Sequence, residues 1–315
     1  MISHLLDLKS SKDISLKKLA NPRIHGPGFY EHAIIHPFVY QNHIYFIFGD
    51  GSKPIVKFNV KLNNHKTLSK SNIPVTQTLK PKAVRIGHTV WVMGGLAYDW
   101  LSPSYAMLAD VQNQHNSLTS IWSFLKEKWF RGPNIPKTLD IFENLDHLNL
   151  ENCCLVTVNS STVFLISSED QFTVSYNFLK NSWQRHEKVS LTMFEWPTNC
   201  EIYTSKSQEK FIITIFVSWE TEKPVAMFIF DIAKNHWTKS FSLTSGLGLV
   251  HSFGSLSLIN YHQIPGKTQF QYQAIEFKNN EWFWKDPIIR EVDFLLDNMS
   301  ISHFQTFEFS STNWK

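Results

Sequence analysis

With 315 residues, 43% hydrophobic and 18% charged, the chain can bury a large core and is not a disordered polymer. A net charge of +3 gives no strong reason to expect nucleic acid or an anionic membrane as partner. The aromatic share is 14%, with 25 Phe and 11 Trp, a composition suited to half-buried strands.

The chain starts MISHLLDLKSSK, where charge arrives too soon for the apolar centre of a secretory signal. Its longest apolar run, FIITIFVSW at 211–219, is too short to cross a bilayer. A cytoplasmic protein without membrane insertion is the expectation. Three cysteines cannot close a disulfide framework. The neighbours Cys153 and Cys154 point to opposite faces of any strand that holds them. With Cys200 they read as small buried residues on inner strands, the alternative being a disulfide or metal pair.

Strand-like runs recur along the chain: HIYFIFG from 43, TVWVMGG from 89, TVFLISS from 162, the weaker KFIITIF from 210, and SLSLINY from 255. Downstream of each lies an octad in which an apolar-polar-apolar triplet leads into a turn rich in Lys, Asn and Ser and then into Trp. The clear copies are WSFLKEKW at 122–129, YNFLKNSW at 176–183, FDIAKNHW at 230–237 and IEFKNNEW at 275–282. LDLKSSKD at 6–13 and FNVKLNNH at 58–65 lack the Trp, and FEFSSTNW at 307–314 looks like one further copy.

Alternation in the triplet predicts a strand with one buried face, and the polar turn suits a hairpin. Trp129, Trp183, Trp237 and Trp282 each open the next strand and can fill the gap between neighbouring sheets. Each unit therefore reads as four short antiparallel strands, a to d. Such a unit must pack on copies of itself, and radial packing into a propeller hides the sheet edges.

At VWVMGG, 90–95, and the four Trp-closed octads the chain resembles the kelch-repeat family of β-propellers, whose units are ~50 residues long. It resembles a degenerate member: only one unit keeps the double glycine, Gly94-Gly95, and nothing in the sequence resembles the helical adaptor domains that often accompany kelch propellers. The resemblance implies an all-β, single-domain propeller, with six blades favoured and seven as the alternative. The expected units are 20–70, 71–135, 136–190, 191–243 and 244–285, with a closing blade from 286–315 plus 1–19 that joins strands of both termini.

Strand direction places the b–c and d–a loops on one face. The long segments 96–120, 131–151, 20–32 and 191–199 fall there, and long loops on a rigid scaffold commonly carry binding residues. Tyr98, Trp100, Tyr105, Phe142, Phe194 and Trp196, with Arg23 and Arg290 in d–a segments, form the candidate partner-binding set, since aromatics with Arg build protein hot spots.

Signs of chemistry are weak. PGKT at 265–268 has Tyr261 where a phosphate loop needs its first glycine, and GLGLVHSFG at 246–254 has His251 where a dinucleotide fingerprint needs its third. His32 and His36 lie on a strand-like stretch without further ligands. KEKWFRGPNIPK at 126–137 interleaves bases with aromatics, a pattern the repeat already explains.

The expectation is a non-catalytic scaffold that binds another protein, cytoskeletal or part of a larger complex, with no cofactor, no metal and no nucleic acid. Two alternatives stand beside it. The resemblance admits a carbohydrate-active or metal-dependent enzyme, and the sequons at Asn159 and Asn298 admit a secreted glycan-binding or matrix protein.

Overall fold

The computed structural model describes residues 4–7, 15–18, 35–48, 55–59, 62, 64–68, 78–79, 82–93, 96–97, 119–132, 153–167, 172–189, 195–218, 220, 224–243, 248–252 and 255–292. Every regular element among them is a strand, and no helix there is long and apolar enough to cross a membrane.

A short hairpin comes first, β1 (His4–Asp7) on β2 (Ser15–Lys18). The first four-stranded sheet follows: β3 (Ile35–Tyr40), β4 (His43–Phe48), β5 (Val56–Asn59) and β6 (Asn64–Thr67). After β7 (Thr78–Leu79) the second comprises β8 (Lys82–Ile86), β9 (Thr89–Met93), β11 (Thr119–Ser123) and β12 (Lys128–Arg131); β10 (Leu96–Ala97) pairs back on β7. The third is β13 (Cys153–Asn159), β14 (Thr162–Ser167), β15 (Thr173–Asn177) and β16 (Ser182–Arg185). The fourth is β17 (Glu195–Thr204), β18 (Lys210–Ser218), β19 (Pro224–Asp231) and β20 (His236–Ser242). The fifth is β21 (Gly248–Ser252), β22 (Ser255–Ile264), β23 (Lys267–Lys278) and β24 (Glu281–Trp284), extended by β25 (Ile288–Val292). Each is an antiparallel meander in chain order, so its strands are a, b, c and d.

Among the described residues five such sheets are present, which corrects the expected six or seven. The expected closing blade fails at both ends for a physical reason. β1 pairs with β2, its own neighbour, through all four of its residues. The segment after 285 supplies β25, which pairs with β23. At twelve residues β23 is far longer than the four-residue β24, and its unused ladder groups take up the next strand.

The octads form the c–d corners. In the first four sheets the first and last octad residues are cross-strand partners: Phe58 with His65, Trp122 with Trp129, Tyr176 with Trp183, Phe230 with Trp237. The three aromatic pairs place their ring centres 5.5, 4.9 and 5.0 Å apart. In the fifth sheet the pair is Phe277 with Trp282, at 4.8 Å, around a two-residue turn. That shorter turn needs left-handed backbone at both positions, and Asn279 and Asn280 supply it with φ of 54° and 62°.

The polar second residue of the octad has a further task. Asn177 Oδ1 accepts from the N–H of Leu179 and Lys180, and Asp231 Oδ1 accepts from Ala233 and Lys234. Asn59 Oδ1 accepts from Leu62, and Ser123 Oγ from Lys126. The side chain thus caps the turn it precedes. The third residue closes the corner from below: Phe124 N donates to His88 O and Phe178 N to Ser161 O, at 3.1 and 2.8 Å.

The described residues divide into two compact units. One spans 20–165 and 173–186, and its core around Tyr45, Ile47, Val90 and Trp122 joins the first two sheets. Its inner strands meet near their a–b turns. Arg85 Nη1 donates to Val39 O, and Thr157 Oγ1 donates to Arg85 O at 3.1 Å, linking β3, β8 and β13 in turn. The corners of the second and third sheets also lean on the sheet before them. Phe124 stacks on Tyr40 at 4.7 Å, and Phe178 meets Trp91 at 4.2 Å. The other unit covers 1–19, 166–172 and 187–308, with a core from Phe211 and Ile213 to Leu258 and Phe277 shared by the fourth and fifth sheets. There Leu249 N donates to Asn199 Oδ1 at 3.1 Å, joining β21 to β17. Cys153, Cys154 and Cys200 are all buried.

Candidate interaction surface

The outer edge of the fifth sheet departs from the pattern of the others. After Trp284, which packs on Phe241 at 4.9 Å, the chain breaks at Lys285–Asp286–Pro287, where proline cannot donate to the ladder. Two contacts hold the break in place. Lys285 N donates to Ala274 O at 2.9 Å, and Lys285 Nζ lies 3.3 Å from Glu276. Glu276 also pairs with Lys206, and the two lysines hold its carboxyl below the usual carboxylate range.

Beyond the break β25 runs along β23, with Ile288 opposite Tyr272, Ile289 opposite Gln271 and Arg290 opposite Phe270. Neighbours in a strand face opposite ways, yet Ile288 is 40% exposed and Ile289 49%, so both faces of this strand are partly exposed. Phe283 on β24 adds a further 45% exposed aromatic ring. The inner partners Phe270 and Tyr272 are buried. Among the described residues the Tyr272 hydroxyl has no hydrogen-bond partner; burial pushes its pKa well up, and the Arg290 charge opposes this. At the far end Lys267 and Gln269 reach Glu291, each at 3.4 Å.

Of the sequence-derived binding set, two residues are described. Arg290 is half-buried inside β25 rather than in a loop, and Trp196 is half-buried inside β17, paired with Val217. Arg23, Tyr98, Trp100, Tyr105, Phe142 and Phe194 lie outside the described residues, as do Gly94 and Gly95. Ile288 and Ile289 escaped the sequence reading because their segment was assigned to a closing blade. Two adjacent β-branched residues just after Asp-Pro were the available signal. Among the described residues no group of three or more His, Cys, Asp or Glu could hold a metal ion.

These elements define a class, the β-propeller. The chain is similar to the solved structure of YjhT, a kelch-type propeller, across 90% of each chain, with 15% sequence identity and a TM-score of 0.58. It is also similar, at 10% identity and a TM-score of 0.49, to an arginine-to-alanine mutant of AofleA from Arthrobotrys oligospora, covering 90% of this chain and 81% of that one. No family model and no curated protein sequence matches the chain. The fold is therefore a β-propeller whose blades are the five four-stranded sheets.

Proposed function

We propose that this protein is a degenerate kelch-type propeller and a non-catalytic interaction module of the cytoplasm, holding another protein through the outer edge of its fifth blade and the long loops of the b–c and d–a face. The observation that carries this reading is the exposure of Ile288 and Ile289 on opposite faces of one edge strand. The outer strands β6, β12 and β16 are edged with Lys or Arg, which discourages strand pairing. β25 carries Arg290 and Glu291 but also presents two exposed isoleucines, and an extended peptide can add to such an edge through its backbone. A cytoskeletal partner agrees with the kelch resemblance.

Affinity capture from source cells tests the reading. The chain with Ile288→Asp and Ile289→Asp should lose the partner that the unaltered chain retains, with an unchanged circular dichroism spectrum. Equal recovery of the same partner by both chains, including a chain that also lacks 98–118, would refute it.

A further inference from the structure

The first three blades carry a second surface, at their c–d turns. Their c–d turns display Leu62, Leu125 and Leu179, which are 65%, 66% and 85% exposed. They sit on corresponding turns of the repeat. Leu125 and Leu179 each follow the anchored third octad residue, and Leu62 stands one position later with Lys61 before it. The display is rigid. Each turn is capped by the second octad residue, as described above. Phe124 and Phe178 also fasten their turns to the preceding blade through rings 4.7 and 4.2 Å from Tyr40 and Trp91. The hydrogen bonds among Val39, Arg85 and Thr157 align the a–b turns of the three blades, so the c–d turns project from one end.

Charge around the leucines has one sign. Lys66, Lys126, Lys128, Arg131, Lys180 and Arg185 are exposed on these turns and outer strands. Among the described residues of the same turns and strands the sole carboxylate is Glu127, which is held by Lys57 at 2.7 Å. The adjacent a–b turns add Gln41-Asn42, Gly87-His88 and Ser160-Ser161, with no acid. Edge protection accounts for cations on outer strands. It does not account for lysines beside leucines at turn tips.

We propose that this end of the first three blades docks on an anionic lipid surface, with the three leucines entering the interface and the flanking lysines and arginines meeting the headgroups. The geometry favours lipid over an acidic protein. Isolated leucines on separate turns need three matching pockets in a protein partner, whose contact cores are contiguous and rich in aromatics. A fluid interface accepts separate apolar tips, and basic side chains near its surface add attraction. The chain's small net charge of +3 conceals this local excess.

Sedimentation of the full chain with vesicles tests the proposal. It should pellet with phosphatidylcholine vesicles containing phosphatidylserine, stay in solution with phosphatidylcholine alone, and be released by salt. The variant Leu62→Ser, Leu125→Ser, Leu179→Ser should bind at least about tenfold more weakly. So should Lys126→Glu, Lys180→Glu, all five positions being exposed and away from the cores. Three results would each overturn the proposal: no partitioning into anionic vesicles, equal binding to neutral ones, or unaltered binding by the leucine variant. Leucine-dependent binding of polyglutamate in place of vesicles would assign the surface to an acidic protein instead.

Discussion

The carboxylate of Glu187 accepts a hydrogen bond from the backbone N–H of Trp237 across 2.6 Å. Glu187 lies just past the last strand of the third blade, and Trp237 near the start of the last strand of the fourth. Its other contact, the His236 ring at 2.9 Å, is with a side chain 62% exposed and adds little. Glu187→Ala should therefore cost about 1 kcal/mol, as for a partly exposed charge-assisted bond. Glu187→Gln, which keeps an acceptor, should cost roughly half as much. Urea melts of the two variants check the ranking.

The cross-strand aromatic pairs make a graded series. Trp237 is 8% exposed and opposite Phe230, so Trp237→Ala should destabilise by about 3 to 5 kcal/mol. In the first blade the same place is held by His65, exposed and opposite the buried Phe58. Restoring the repeat there with His65→Trp should stabilise by about 0.5 to 1.5 kcal/mol. Thermal melts of both variants should move in opposite directions.

Asn181 closes the third c–d corner with φ at 50°, and its Oδ1 accepts from the Tyr176 hydroxyl. Asn181→Gly removes the hydrogen bond but keeps the backbone at ease; Asn181→Ala removes the bond and strains the backbone as well. The alanine variant should be less stable than the glycine variant by about 1 kcal/mol. Equal stabilities would show that the left-handed backbone carries no cost here.

The octads predicted the c–d corners because their chemistry is local: cap, turn, ring and strand sit within eight residues. The polar second position was read as strand alternation alone, since a cap and an outward strand residue look alike in sequence. Blade number was misread because it depends on which strands pair. LDLKSSKD and the segment after 285 have the composition of blade strands, yet one closes on its own neighbour and the other is drawn to the long β23. The exposed leucines were hidden for a related reason. A Leu beside Lys in a turn gains meaning only when three turns are seen to leave the same end of a unit.

His43 ties stability to pH. Burial and the nearby Lys57 charge lower its pKa from the usual 6.5, with Glu127 opposing. Asn59 Nδ2 lies 3.3 Å from His43 Nε2, where the amide donates to an unprotonated ring nitrogen. The folded chain thus holds this ring neutral while the unfolded chain protonates it near 6.5. Below that pH the unfolded state binds the extra proton, so stability falls as pH drops from 6.5 toward the folded pKa and is recovered as pH rises through 6.5. His43→Gln cannot take the proton. The difference in Tm between the unaltered chain and this variant should therefore shift in favour of the unaltered chain between pH 5.5 and 7.5, roughly the window of the histidine titration. A constant difference across that window would remove His43 as a source of pH sensitivity.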